Sequence, residues 1–87
     1  MIRVSIPSQL IAYTNGQTRV EAVGDTVCSV LDDLDRRYPG LKFRVIDEQD
    51  RIRRHMRIFV GMDEVRSVAV PVADGGELLI FGALSGG

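Results

Sequence analysis

Asp25-Thr26-Val27-Cys28-Ser29-Val30-Leu31-Asp32-Asp33-Leu34-Asp35-Arg36-Arg37-Tyr38-Pro39-Gly40 is the stretch on which the fold turns. Val27, Val30, Leu31, Leu34 and Tyr38 recur at spacings of three and four, so they fall on one face of a helix. Asp25 or Thr26 can cap the free N–H groups at its start, and Pro39-Gly40 stops it. On the other face Asp32 stands four residues before Arg36, and Asp33 four before Arg37, an acid-first order worth about 0.2–0.5 kcal/mol per pair. Those charges need no functional explanation.

Upstream of the helix, Ile2, Val4 and Ile6 alternate with Arg3 and Ser5, the period of a half-buried strand. Pro7 ends that strand because proline cannot donate to a ladder. A loop holding Tyr13 leads to Asn15-Gly16, two residues tolerant of positive φ, and residues 18–23 resume the alternation with Val20 and Ala22 on one side. The pair predicts an N-terminal hairpin with a long connection. Downstream, residues 41–46 are apolar but mixed in period, a short helical turn or strand, and residues 47–54 are a charged loop. Met56, Ile58 and Val60 alternate with Arg57 and Phe59; Gly61-Met62-Asp63-Glu64 turns, and Val65-Arg66 begins a short return strand. Ala73-Asp74-Gly75-Gly76 is a further turn. It feeds a last strand over residues 78–83, with Leu78 and Ile80 on one side and Leu79 and Phe81 on the other. A hairpin followed by one main helix lying across a mixed sheet of four to five strands is the β-grasp, ubiquitin-like arrangement of the α+β class. Residues 1–83 form the single domain, and residues 84–87 a flexible tail.

Composition narrows the function. The chain has 87 residues, 45% hydrophobic and 26% charged, which leaves room for one core and no second domain. With 11 basic and 12 acidic side chains the formal net charge is -1, a poor basis for binding a polyanion through its phosphates, so no nucleic-acid partner is expected. Cys28 is the only cysteine and His55 the only histidine, which excludes an intrachain disulfide, a thiolate cluster and a histidine metal cage; no metal site is expected. The start, Met1-Ile2-Arg3-Val4-Ser5-Ile6-Pro7, breaks too early for a signal peptide, and the apolar run at residues 78–84 is too short to span a bilayer. A cytoplasmic protein is the expectation.

The sequence closes on Gly86-Gly87. At ordinary glycine usage a terminal pair arises by chance in about 0.5% of chains, and glycine-rich tails are common, so the pair gains its meaning from following the last strand of a β-grasp pattern. Without Cβ atoms, Gly86 and Gly87 can adopt nearly any backbone conformation and pass through a narrow channel into a partner's nucleotide site. The reactive group is then the Gly87 carboxylate. A carboxylate is a poor acyl donor, but ATP converts it to an acyl-adenylate, which a sulfur nucleophile turns into a thiocarboxylate or a lysine amine into an amide. The chain has no G-x-x-x-x-G-K-[ST] loop, so adenylation falls to another protein.

Over essentially its whole length the sequence resembles the ThiS/MoaD-like sulfur carriers. The matching segments are Val4-Ser5-Ile6-Pro7, Gly24-Asp25-Thr26-Val27, and Ile58-Phe59-Val60-Gly61-Met62-Asp63-Glu64-Val65-Arg66. They are completed by Ala73-Asp74-Gly75-Gly76-Glu77-Leu78 and Ile80-Phe81-Gly82-Ala83-Leu84-Ser85-Gly86-Gly87. The Asp-Gly turn, apolar strand and terminal Gly-Gly at fixed spacing are the specific part. The long N-terminal loop, residues 6–17, and the chain length are more similar to the CysO branch than to MoaD; the proline that family tails often carry near Gly82-Ala83 is missing. The resemblance implies a carrier that is not itself an enzyme. An E1-like, ThiF/MoeB-type enzyme would adenylate Gly87 with ATP, and the thiocarboxylate would give its sulfur to a biosynthetic enzyme. In the CysO branch that enzyme is a cysteine synthase using pyridoxal phosphate. The chain itself would bind no cofactor and no membrane, and would be a monomer when free. Two other roles share the tail: the small, MoaD-type subunit of molybdopterin synthase, and a ubiquitin-like modifier joined to lysines.

Other residues compete for attention. Cys28 reads either as a sulfur relay or as a small hydrophobe beside Val27 and Leu31, and the helical wheel favours the second. His55, among Arg51, Arg53, Arg54 and Arg57, is a solvated loop histidine or one that tunes docking near neutral pH. The arginine run itself, close behind Asp47, Glu48 and Asp50, reads as a solvated loop or as an electrostatic docking face. No aromatic residue between positions 47 and 56 offers RNA a stacking platform. Alternation sends Phe59, Leu79 and Phe81 to the open face of the sheet, a candidate contact patch unless loops or residues 68–72 cover it. With Leu84 and Ser85 they make up the expected partner-binding set.

Overall fold

The computed structural model describes residues 1–82. The expected tail, with Leu84, Ser85, Gly86 and Gly87, lies outside the described residues. Strand β1 (Ile2–Ser5) pairs antiparallel with β2 (Arg19–Ala22), placing Ile2 opposite Ala22 and Val4 opposite Val20. All four are buried, as the period-two pattern requires. The connection between them is ordered: Ser8–Thr14 form a 3-10 helix that ends on Asn15 at φ 57° and Gly16 at φ 82°, the positive-φ pair expected there. The buried Thr14 hydroxyl donates to Gln17 O at 2.7 Å and so closes this loop on itself.

Helix α1 (Val27–Arg37) buries Val27, Val30, Leu31 and Leu34. Of the two candidate caps it uses Thr26. The Ser29 N–H donates to Thr26 Oγ1 at 3.1 Å, and the Thr26 N–H donates to Ser29 Oγ at 3.0 Å, a reciprocal capping box. Its two first N–H groups are taken by a different segment: Val27 donates to Val70 O at 3.0 Å and Cys28 to Val68 O at 2.8 Å. Residues 68–72 therefore strap the start of the helix, and Val68 and Val72 join the core. The expected Asp32–Arg36 pair is replaced. Asp33 holds both Arg36, at 2.8 Å, and Arg37, at 3.0 Å, while Asp32 pairs with Lys42. Asp33 is drawn into place because it also accepts the Val23 N–H at 3.0 Å, an anchor to the end of β2 that helical spacing alone does not reveal.

Residues 41–46 resolve into a short helix, α2 (Leu41–Val45), whose Gly40 and Lys42 N–H groups are held by Asp35. The charged stretch at residues 47–54 is a compact reversal rather than free loop. Ile46 bridges to Ile52, and Asp47 Oδ1 accepts from Gln49 and Arg51 N–H at 2.8 and 3.0 Å. Strand β3 (Met56–Val60) then pairs antiparallel with β4 (Asp63–Val65). The return begins earlier than expected, taking in Asp63 and Glu64 and leaving out Arg66, because Gly61 at φ 60° lets the chain reverse over Gly61-Met62 alone. Strand β5 (Glu77–Gly82) enters between β1 and β3, parallel to the first and antiparallel to the second, giving the order β2-β1-β5-β3-β4. This is the mixed β-grasp sheet, with Val4, Ile58, Leu78 and Ile80 in one core with α1.

Candidate functional site

Because Met56, Ile58, Leu78 and Ile80 are buried in the core, alternation turns their neighbours outward. Phe59 stands directly opposite Leu79, and Phe81 opposite Arg57. The Phe59 and Phe81 rings meet edge to face, centroids 5.5 Å apart at 87°. Phe81 is 49% exposed, whereas Phe59 and Leu79 are half-buried. The strap at residues 68–72 hydrogen-bonds to Asp25, Val27 and Cys28 on the helix side of the sheet, so it leaves this outer patch uncovered. At the border of the patch Arg57 and Glu64 form an ion pair at 3.0 Å, with Glu64 opposite Phe59 on β4.

The patch lies at the end of β5 where the described residues stop. Gly82 pairs there with Met56, and a Cβ at Gly82 would collide with the Gln9 side chain from the 3-10 helix. The Gln9 amide, at the end of a flexible side chain, thus fills the space a larger residue at position 82 would take. Of the expected site residues, Phe59, Leu79 and Phe81 come together in one surface; Leu84, Ser85, Gly86 and Gly87 fall outside the described residues.

Cys28 is half-buried at the start of α1. Burial, reinforced by the Asp32 carboxylate, pushes its thiol pKa up, so the nucleophilic thiolate is scarce at neutral pH. That environment suits the packing role and opposes the relay. His55 is exposed in the arginine stretch. Among the described residues, no group of three or more His, Cys, Asp or Glu is placed to hold a metal ion, and no helix is long and apolar enough to cross a membrane. Sequence reading missed Arg66, which the β3–β4 pairing brings beside the arginine run. The signal was the Gly61-Met62 turn, which sets Ile58 opposite Val65 once its length is known.

No protein-family model matches the chain. The sulfur carrier protein CysO of Mycobacterium tuberculosis is 36% identical over 91 aligned residues, covering 99% of this chain and 98% of that protein. The chain belongs to the CysO family of sulfur carrier proteins. A chain of the Amycolatopsis orientalis BexX/CysO complex superimposes with a TM-score of 0.93 at 36% identity, covering all of both chains. SAMP1 of Haloferax volcanii, a small archaeal modifier protein, gives a TM-score of 0.76 at 26% identity over 99% of this chain and 98% of its own. The CysO family and the SAMP1 neighbour share the β-grasp sheet found here, and the expected fold class and family are both borne out.

Proposed function

We propose that this sulfur carrier works through the carboxylate of Gly87. A Gly87 oxygen attacks the α-phosphorus of ATP on an E1-like adenylating enzyme and pyrophosphate leaves; a reduced sulfur donor then attacks the acyl carbon and AMP leaves, giving the thiocarboxylate. On the acceptor enzyme the thiocarboxylate sulfur displaces a leaving group from an electrophilic carbon of the substrate, and hydrolysis of the acyl–sulfur bond then returns the carboxylate and frees the thiol product. The resemblance to the CysO branch implies a cysteine synthase-like acceptor, and the pyridoxal phosphate would belong to that partner. The carrier supplies no catalytic group of its own. Its contribution is the Gly86-Gly87 terminus and a surface, Phe59, Leu79 and Phe81, that selects the enzymes it enters.

The observation that carries this reading is the end-to-end match to CysO sulfur carriers, 99% of this chain against 98% of theirs, with the Gly86-Gly87 terminus following the last strand. The BexX/CysO complex supports docking of such a carrier onto a partner protein. Pyrophosphate exchange with the cognate adenylating enzyme tests it. Deleting Gly87 moves the carboxylate back by about 3.5 Å, and misplacing a reacting atom by about 1 Å costs on the order of a hundredfold. Exchange should fall to background in the deletion variant with the fold unchanged; unimpaired exchange would sink the reading. The likeness to SAMP1 favours, as a second reading, conjugation to lysines, which produces species heavier by a whole protein.

A further inference from the structure

At the β4 edge of the sheet a groove of about 370 Å³ is lined by Arg51, Arg53, Arg54, Arg57 and Arg66, with Glu64 the one carboxylate among its lining residues. Internal pairing accounts for part of this charge. Arg57 is bound to Glu64 at 3.0 Å, and Arg51 lies 3.4 Å from Asp47. Arg53 donates to the Phe43 carbonyl at 2.7 Å and stacks 4.5 Å above the Phe43 ring, contacts that fix its side chain without neutralising it. Arg54 and Arg66 are exposed and have no ion-pair partner among the described residues. A chain of net charge -1 thus gathers three uncompensated guanidinium groups at one place.

That place adjoins the outer patch. Arg57 stands opposite Phe81 and Met56 opposite Gly82, so the groove opens beside the Phe59–Phe81 pair, at the end of β5. A protein seated on Phe59 and Phe81 reaches the groove without a gap. We propose that the groove receives an acidic segment of a partner protein, a short run of Asp or Glu side chains flanking the surface that covers the two phenylalanines. Planar guanidinium groups match carboxylates in two-point hydrogen bonds. A nucleic acid fits less well: the lining has no aromatic side chain for stacking, and Glu48 and Asp50, exposed in the adjoining reversal, repel a long polyanion. That the acidic partner is an enzyme of sulfur transfer rests on the carrier reading; the binding chemistry does not.

Arg54→Glu combined with Arg66→Glu reverses both unpaired charges, and the neutral pair Arg54→Gln with Arg66→Gln guards against a folding defect. An octaglutamate peptide is titrated into the 15N-labelled protein, alongside inorganic phosphate and an oligonucleotide of equal charge. Saturable shifts confined to residues 51–57 and 64–66, weakened about tenfold or more in the variants and by added salt, are the expected result. Shifts spread equally over Arg3, Arg19 and Arg36, or tighter binding of the oligonucleotide or of phosphate, would overturn the proposal. In pyrophosphate exchange, and in sulfur transfer to the acceptor, the variants should raise the half-saturating carrier concentration for at least one enzyme at an unchanged plateau rate. Unchanged half-saturation with both enzymes would also overturn it. A wild-type chain that supports no exchange at all contradicts the carrier reading instead, and the peptide titration then decides the groove alone.

Discussion

Cys28, the single cysteine, offers sulfur a second place beside the proposed Gly87 carboxylate, and its surroundings argue for the protonated state. Burial and the nearby Asp32 raise its pKa. Cys28→Ala should therefore leave the rate of sulfur transfer unchanged, measured with the adenylating enzyme, ATP, a sulfur donor and the acceptor; loss of transfer with an intact fold would restore the relay. The helical wheel already placed Cys28 beside Val27 and Leu31, so its packing role was legible from spacing. Gly24 was less so. Nothing in its local pattern shows that a Cβ there would come within 2.7 Å of the Val30 backbone nitrogen, because the close approach depends on how the chain turns into the first turn of α1.

Among the elements, α1 carries the most legible signal, since its face follows from 3.6-residue periodicity and its capping region and stop from Asp25-Thr26 and Pro39-Gly40. Its ties to the rest of the chain do not. Asp33 bonds to Val23 N–H, and that hydrogen bond, ahead of those from Arg36 and Arg37, holds its carboxyl below the usual carboxylate range. A depressed folded-state pKa stabilises the protein above the unfolded value of about 3.9, and the contribution is lost as pH falls through the folded value. Asp33→Asn should cost about 1 kcal/mol at neutral pH, the difference between a charged and a neutral acceptor. In urea unfolding followed across pH, that deficit should close below about pH 4; a constant deficit would show that the charge is not what binds β2 to α1. The strap at residues 68–72 was likewise invisible, because Val68 and Val70 act through their carbonyls, which no side-chain pattern records.

For the molecule as a whole, the outer patch follows from alternation: once Ile58 and Ile80 are inside, Phe59 and Phe81 are outside. The insertion of β5 between β1 and β3 does not, because alternation sets the face of a side chain and not the neighbour of a strand. Phe59→Ala or Phe81→Ala should leave the terminus chemically competent and weaken partner binding by roughly 1–3 kcal/mol, read as the half-saturating carrier concentration. The arginine run was legible as a candidate docking face, but the groove it forms with Arg66 was not, since Arg66 joins the run only through the β3–β4 turn. The central claim is that sulfur travels on Gly87. Intact and peptide mass spectrometry, after incubation with the adenylating enzyme, ATP and sulfide, tests it most directly. The wild-type chain should gain the mass difference of sulfur for oxygen, mapped to the C-terminal peptide, and the chain lacking Gly87 should gain nothing. Sulfur mapped to Cys28, or the same gain in the chain lacking Gly87, would contradict it.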